Sequence, residues 1–460
     1  MLRCFNGTEH ELLASMPTAN ASLIAHNRFG FGLAPDEAPT KDPRGWLERQ
    51  LESGRDMPSV AETRIRDLLP KMLSADAPEG RRAFYDEYRL LVRERAELAR
   101  TSKAPFIERL VHFWTNHFAI SANKKVAKAL APGFEFGAIR PHVTGTFEDL
   151  LMAAETHPAM LIYLDQSRSV GPKSPLGLRR TAKDRRNAGL NENLAREILE
   201  LHSMGVRSGY QQEDVVELAR ALTGFSVTGL VGGPNEGGGP TGTFVFDAAR
   251  HEPGERRLLG KTYPAGGIEQ ARAILHDIAR HPATARFVAT KLSRHFIADS
   301  PPSDAIDRIA NAFLASDGAL VPTYRALVAE EAAWRPGPSK FKNPWEWTVS
   351  ALRTSGIAAP EGNFLPKWLE TLGQATWEPA SPAGFADEES AWLSPDPLVR
   401  RADFASALAV KASEFRDVRE IAQHAFQGTM SENSRQAIAG AGDPAQALAL
   451  LLMSPEFLWR

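Results

Sequence analysis

"RRAFYDEYRLLVRERAELAR", residues 81–100, decides the fold class. Its apolar side chains Phe84, Tyr88, Leu91 and Val92 recur at steps of three and four, and Arg and Glu fill the other faces. That is the period of a helix with one buried face. The same pattern extends outward along the chain and predicts helices over 105–119, 145–156, 212–223, 267–279, 283–297, 303–314, 343–354, 398–412 and 444–453. Pro105, Pro158, Pro282 and Pro344 stand at first helical turns, where a missing N–H is harmless and a fixed φ suits the helix. Strand-like alternation centres on "TGTFVFDAAR" at 241–250, with "RRLLGKTY" at 256–263 as its hairpin partner. The expected fold is mainly α: one large multi-helix domain over 20–460 with a small β-hairpin near 241–263, preceded by a poorly ordered stretch over 1–19.

The whole-chain chemistry narrows the function classes. Lys plus Arg is 54 against 56 for Asp plus Glu, a formal net charge of -2. A dedicated nucleic-acid binder carries a basic surplus, so nucleic acid is not the expected partner. The single cysteine, Cys4, rules out an intrachain disulfide and Cys-rich zinc modules, which leaves His, Asp and Glu to hold any metal. No apolar run approaches the ~18 to 20 residues that span a bilayer. The opening residues carry Glu9 and Glu11 where a secretory signal would be apolar, so the expected location is cytoplasmic.

Two stretches read as flexible loops: 167–190, rich in Arg and Lys, and the Gly-rich 229–242. A third irregular stretch, "EPASPAGFADEESAWLSPDP", covers 378–397. Gly260-Lys261-Thr262 mimics the end of a phosphate loop, but Glu255 stands where the first glycine is needed and no helix follows. Nucleotide binding there is rejected.

The chemistry-bearing candidates are few. "HFWTNHF" at 112–118 offers His112 and His117, but five residues apart they point about 140° away from each other on a helix. His117 lies at the edge of the buried face and His112 points away from it. His117 is therefore either a buried residue bonded to a carbonyl, or a ligand or proton carrier. In "NENLAREILELH", 191–202, Asn191 is placed as an N-cap, and Glu192–Arg196 and Arg196–Glu200 are ion pairs one turn apart. His202 projects among leucines, where an imidazole needs a partner or must be neutral. Glu197 borders the same arc. His251 follows the strand on a loop, and His157 and His281 precede helix-starting prolines as caps.

Together with "NRFGFG" at 27–32, "HPAMLIYLD" at 157–165, "GYQQEDVVELARALTGF" at 209–225, "HPATARFVATKLSRHF" at 281–296 and "SPEF" at 454–457, these phrases resemble the bacterial DUF1800 family (domain of unknown function 1800). The resemblance implies one largely helical domain and brings no established reaction. Family members are often exported and often neighbour genes for DUF1501 proteins, themselves similar to sulfatases and phosphatases, so a DUF1501-family protein is the partner it implies. It also groups Asn116, His117, Glu192, Asn193, Arg196, Glu197 and His202 as a shared polar site.

Two functional readings follow. The first is an enzyme with a polar or metal-assisted His/Glu site between helices 105–119 and 191–203. There Glu197, Arg196 and His202 would be catalytic, and His117, His202 and His251 would hold a divalent metal. The second is a non-catalytic helical scaffold that binds a partner protein or an envelope component.

Overall fold

The computed structural model describes residues 20–53, 59–74, 78–181, 189–230, 240–411 and 417–460. The stretch 1–19, residues 182–188 of the basic loop and most of the Gly-rich loop lie outside them. The fold is mainly α, 63% helical and 4% strand. The predicted helices are present at Pro78–Thr101, Pro105–His117, Phe147–Thr156, Gln212–Leu222, Ile268–Ala279, Pro282–Phe296, Ser303–Ala315, Pro344–Ser355, Pro395–Lys411 and Pro444–Leu452. No helix among the described residues is long and apolar enough to cross a membrane.

The helix starts follow local chemistry. Pro105, Pro158, Pro282 and Pro344 each open a helix. In both His-Pro-Ala phrases the imidazole caps: Nδ1 of His157 accepts from Ala159 N–H and Nδ1 of His281 from Ala283 N–H, each at 3.1 Å. Asn343 and Glu346 close a reciprocal capping box at the start of Pro344–Ser355.

The β structure differs from expectation in its pairing. Strand β1, Phe225–Val227, pairs antiparallel with β2, Phe244–Phe246, while β3, Arg256–Leu258, turns back on β4, Lys261–Tyr263. The 241–250 stretch therefore pairs with the residues after helix Gln212–Leu222, and not with 256–263. Leu259 and Gly260, both at positive φ, make the tight β3–β4 turn, so the Gly-Lys-Thr phrase is hairpin and holds no phosphate loop. The described part of the basic stretch, up to residue 181, holds regular structure. It carries the helix Pro175–Thr181, with Ser174 Oγ accepting from Gly177 N–H, and Arg250 binds the Ser167 carbonyl at 2.9 Å.

Two apolar clusters form the interior. One gathers the helices between residues 24 and 334 with Trp377, and the other joins Leu23, Phe31, Ala96 and Ala99 to side chains between 341 and 458. The "NRFGFG" segment lies where they meet. Buried Arg109 donates to the Gly30 carbonyl at 2.8 Å and buried Arg353 to the Gly32 carbonyl at 3.0 Å. A side chain at Gly30 would press on the His26 carbonyl at 2.7 Å, and Gly32 has φ +95, so both positions require glycine.

Candidate functional site

Helix Pro105–His117 is buried on nearly every face, because it runs through the first apolar cluster. Only His112, Thr115 and Asn116 in its second half keep partial exposure. They fall at i, i+3 and i+4 and so form one stripe. That stripe lines a cavity of ≈ 360 Å³, within the range of small-molecule sites.

The opposite walls come from three places. Helix Pro282–Phe296 supplies Lys291, Arg294 and His295, the capping box supplies Asn343 and Glu346, and the irregular stretch after 373 supplies Trp377, Phe385 and Asp387. Asn116 fastens that stretch. Its amide donates to the Phe385 carbonyl at 2.9 Å and accepts from Phe385 N–H at 2.8 Å, a side-chain imitation of a strand pair. Gly384, at φ +83, permits the approach: a Cβ there would lie 2.4 Å from the Asn116 carbonyl.

The three cavity histidines are each held by one nitrogen and leave the other without a hydrogen-bond partner. Nδ1 of His112 accepts from the Trp345 indole N–H at 2.8 Å, so Nε2 carries its proton. Nε2 of His117 meets the His202 carbonyl at 2.9 Å and must donate, which leaves a lone pair on Nδ1. Nδ1 of His295 lies 3.1 and 3.2 Å from the Asp387 carboxylate oxygens, and its Nε2 lies 3.6 Å from Glu346 Oε1. Thr115 Oγ1 and Thr376 Oγ1 are likewise buried, unpartnered and part of the lining. Five buried polar atoms without a partner among the described residues thus belong to residues that line one cavity.

Burial sets the electrostatics. It pushes His112 well below the usual histidine value, and Arg95, Arg140 and Arg109 push in the same direction. His117 is lowered in the same way, with Lys291 and His202 adding to burial. For His295 burial also lowers the pKa, but Asp387 opposes it through charge and a hydrogen bond. Burial works to raise the Asp387 carboxyl, yet His295 and then Lys340 hold it below the ordinary value. Glu346 is held lower still: burial raises it, and Arg460 and Arg109 overcome that. Arg109 Nη1 lies 2.6 Å and Arg460 Nη2 3.0 Å from Glu346 Oε1, so this carboxylate stays ionised among cations.

The residues selected from the sequence are distributed differently. His202 is fully buried, and its Nδ1 lies 2.7 Å from Glu155 Oε1, also fully buried. The chain reaches it through Ile198–His202, a widened turn following the short helix Asn193–Glu197. Arg196 bridges Glu192 at 3.2 Å and Glu200 at 3.5 Å on the solvent side, the ion-paired face expected. Glu197 is half-buried and its carboxyl is raised, by burial first and then by Glu200 and Glu155, while His202 opposes. His251 sits against Phe246 with Nδ1 2.9 Å from the Thr223 carbonyl.

The His117 and His202 rings are 6.4 Å apart, and the nitrogen of His117 facing His202 is spent on a backbone carbonyl. Among the described residues no three or more of His, Cys, Asp and Glu are grouped to hold a metal ion, so His117, His202 and His251 do not form the expected ligand set. Of the residues proposed from the sequence as catalytic or metal-binding, His117 alone lines the cavity, joined there by Asn116 from the shared polar group. His112, taken to point away from the core, lines it too: the helix has no outward face, and its solvent-like stripe opens onto the cavity. Lys291, His295 and Asp387 were not singled out from the sequence. The first two lie in a quoted phrase, and Asp387 lies in a stretch without periodicity.

The fold and the cavity define a largely helical protein with a partly open, histidine-lined cleft. The chain belongs to the DUF1800 family, whose model, described as "Protein of unknown function (DUF1800)", matches residues 24–459. No curated protein and no solved structure matches it.

Proposed function

We propose that this protein is an enzyme acting on a small polar molecule held in the ≈ 360 Å³ cavity, with His295 as the acid–base group and Asp387 as its orienting partner. This is the enzymatic reading drawn from the sequence, moved to another face of the same helix 105–117. The observation that carries it is the state of His295. Its Nδ1–H is committed to Asp387, so in the neutral ring the lone pair sits on Nε2, which has no hydrogen-bond partner among the described residues. A pKa below the usual histidine value keeps that base free at neutral pH. When Nε2 takes a proton, Asp387 on one side and Glu346 at 3.6 Å on the other stabilise the imidazolium. Arg109 and Arg460 keep Glu346 charged without occupying His295.

The test is a fragment panel of carbonyl compounds, esters, amides and phosphoesters, screened for binding to the full chain by ligand-observed NMR. His295→Gln should weaken the cavity-directed hits at least about ten-fold, and any turnover found among them should fall about 100-fold or more. A panel whose hits and turnover are indifferent to His295→Gln, in a variant that melts like the parent, overturns the reading.

A further inference from the structure

We propose that Lys291 is an amine nucleophile that forms an imine with a small aldehyde or ketone bound in the cavity. The inference rests on the acid–base reading of the cavity and adds the substrate class.

Three observations meet at Lys291. It lines the same cavity as His295 and precedes it by four residues on helix Pro282–Phe296, so the two side chains leave one helix face a turn apart. Its ammonium has no hydrogen bond or ion pair among the described residues, and it lies 5.8 Å from the centre of the Phe287 ring. Among the described lining residues Lys291 is the one lysine; Lys340 and Lys128 lie outside the lining and are ion-paired to Asp299 and Glu378, and Lys342, also outside it, packs on the Phe457 ring at 4.5 Å. An unpaired, partly desolvated amine in a cleft, beside another cation such as Arg294, is a setting in which lysine serves as a nucleophile. The electrostatics agree. Burial lowers its pKa to about 8, Asp387 only partly offsets this, and Arg294 adds to it. At pH 7.5 roughly a quarter of such amines are neutral, against roughly one in a thousand for an ordinary lysine.

The step balances without a further reagent. The neutral Nζ lone pair adds to the carbonyl carbon, and the C=O π pair moves to oxygen. A proton from the nitrogen ends on that oxygen to give a carbinolamine. Protonation of the hydroxyl and loss of water then leave a C=N iminium on Lys291. His295 Nε2, one turn along the helix, is the group that carries protons between nitrogen and oxygen. Phe113 and Phe385 add apolar surface to the cavity wall beside the product.

The experiment uses the full chain at pH 7.5 with pyruvate or benzaldehyde as probe and cyanoborohydride to trap the imine, followed by peptide mapping. Lys291 should be modified at least about ten-fold faster than exposed Lys103, and Lys291→Arg should remove that adduct while leaving the others. Modification of Lys291 no faster than Lys103 with both probes overturns the proposal; if Lys291→Arg fails to fold, this parent-chain comparison decides alone. His295-dependent fragment binding without Lys291 labelling sinks the imine and spares the acid–base reading. Lys291 labelling with binding indifferent to His295 does the reverse.

Discussion

Two histidine–carboxylate pairs pack around helix 105–117: His202 with Glu155, and His295 with Asp387. Chemically they are the same pair. The first is sealed, with both side chains at 0% exposure and 2.7 Å between nitrogen and oxygen. The second is slightly looser at 3.1 Å, its carboxylate is 30% exposed, and both its residues line the cavity. A sealed pair fixes a fold, because nothing can reach it and nothing else can satisfy it. A pair on a cavity wall can exchange a proton with something that enters. Access to space therefore separates the structural histidine from the chemical one, and the pairing itself does not.

That contrast breaks most visibly at Glu155. Glu155→Ala leaves His202 Nδ1 buried without a partner and should cost about 3 kcal/mol in urea unfolding. Glu155→Gln, which keeps an acceptor, should cost less. A loss below about 1 kcal/mol for the alanine variant would mean that the sealed pair is not sealed. Asn116→Ala comes next. It removes both hydrogen bonds to Phe385 from a half-buried amide and should cost about 2 kcal/mol. It should also raise hydrogen exchange across 379–388, the segment that presents Asp387; unchanged exchange there would show that Asn116 does not fasten it. Asp387→Ala should cost only about 1 kcal/mol, because water in the cavity can replace the lost acceptor. Its larger consequence should be on cavity ligands, and a stability loss equal to that of Glu155→Ala would erase the contrast.

Much of the sealed side was legible in the sequence, and little of the open side was. His202 among Leu199, Leu201 and Ile198 announces a buried imidazole by helical spacing alone, and the His-Pro-Ala caps follow from residue type. Spacing assumes that a helix has one buried face. That assumption holds for 81–100 and fails for 105–117, where His112 faces a cavity only because other elements enclose the helix. Asp387 reaches His295 through a stretch with no period to read, placed by Asn116 and Gly384 across more than two hundred residues. The hairpin pairing failed for a related reason: strand partners are long-range choices, and three-residue strands carry too little alternation to declare one.

The smallest expected difference between the two sides is in acid sensitivity. His117 contacts the sealed side through the His202 carbonyl, and burial, Lys291 and His202 all lower its pKa. His295 is lowered by burial, while Asp387 and Glu346 pull it back up. A histidine whose folded pKa is lowered stays neutral in the fold below pH 6.5 while the unfolded chain binds a proton. Its stability contribution is therefore complete above pH 6.5 and is lost as pH falls from there toward the folded pKa. Because His117 is lowered the more strongly of the two, it should account for more of the acid slope. His117→Gln should flatten the stability change between pH 7 and pH 5 more than His295→Gln does, by about 0.5 kcal/mol. Denaturant unfolding of the parent and both variants at the two pH values measures this directly. Equal flattening would mean that Asp387 and Glu346 leave His295 as averse to a proton as His117, which has no carboxylate partner among the described residues, and the carboxylates of the cavity wall would then do nothing to ready His295 for a proton.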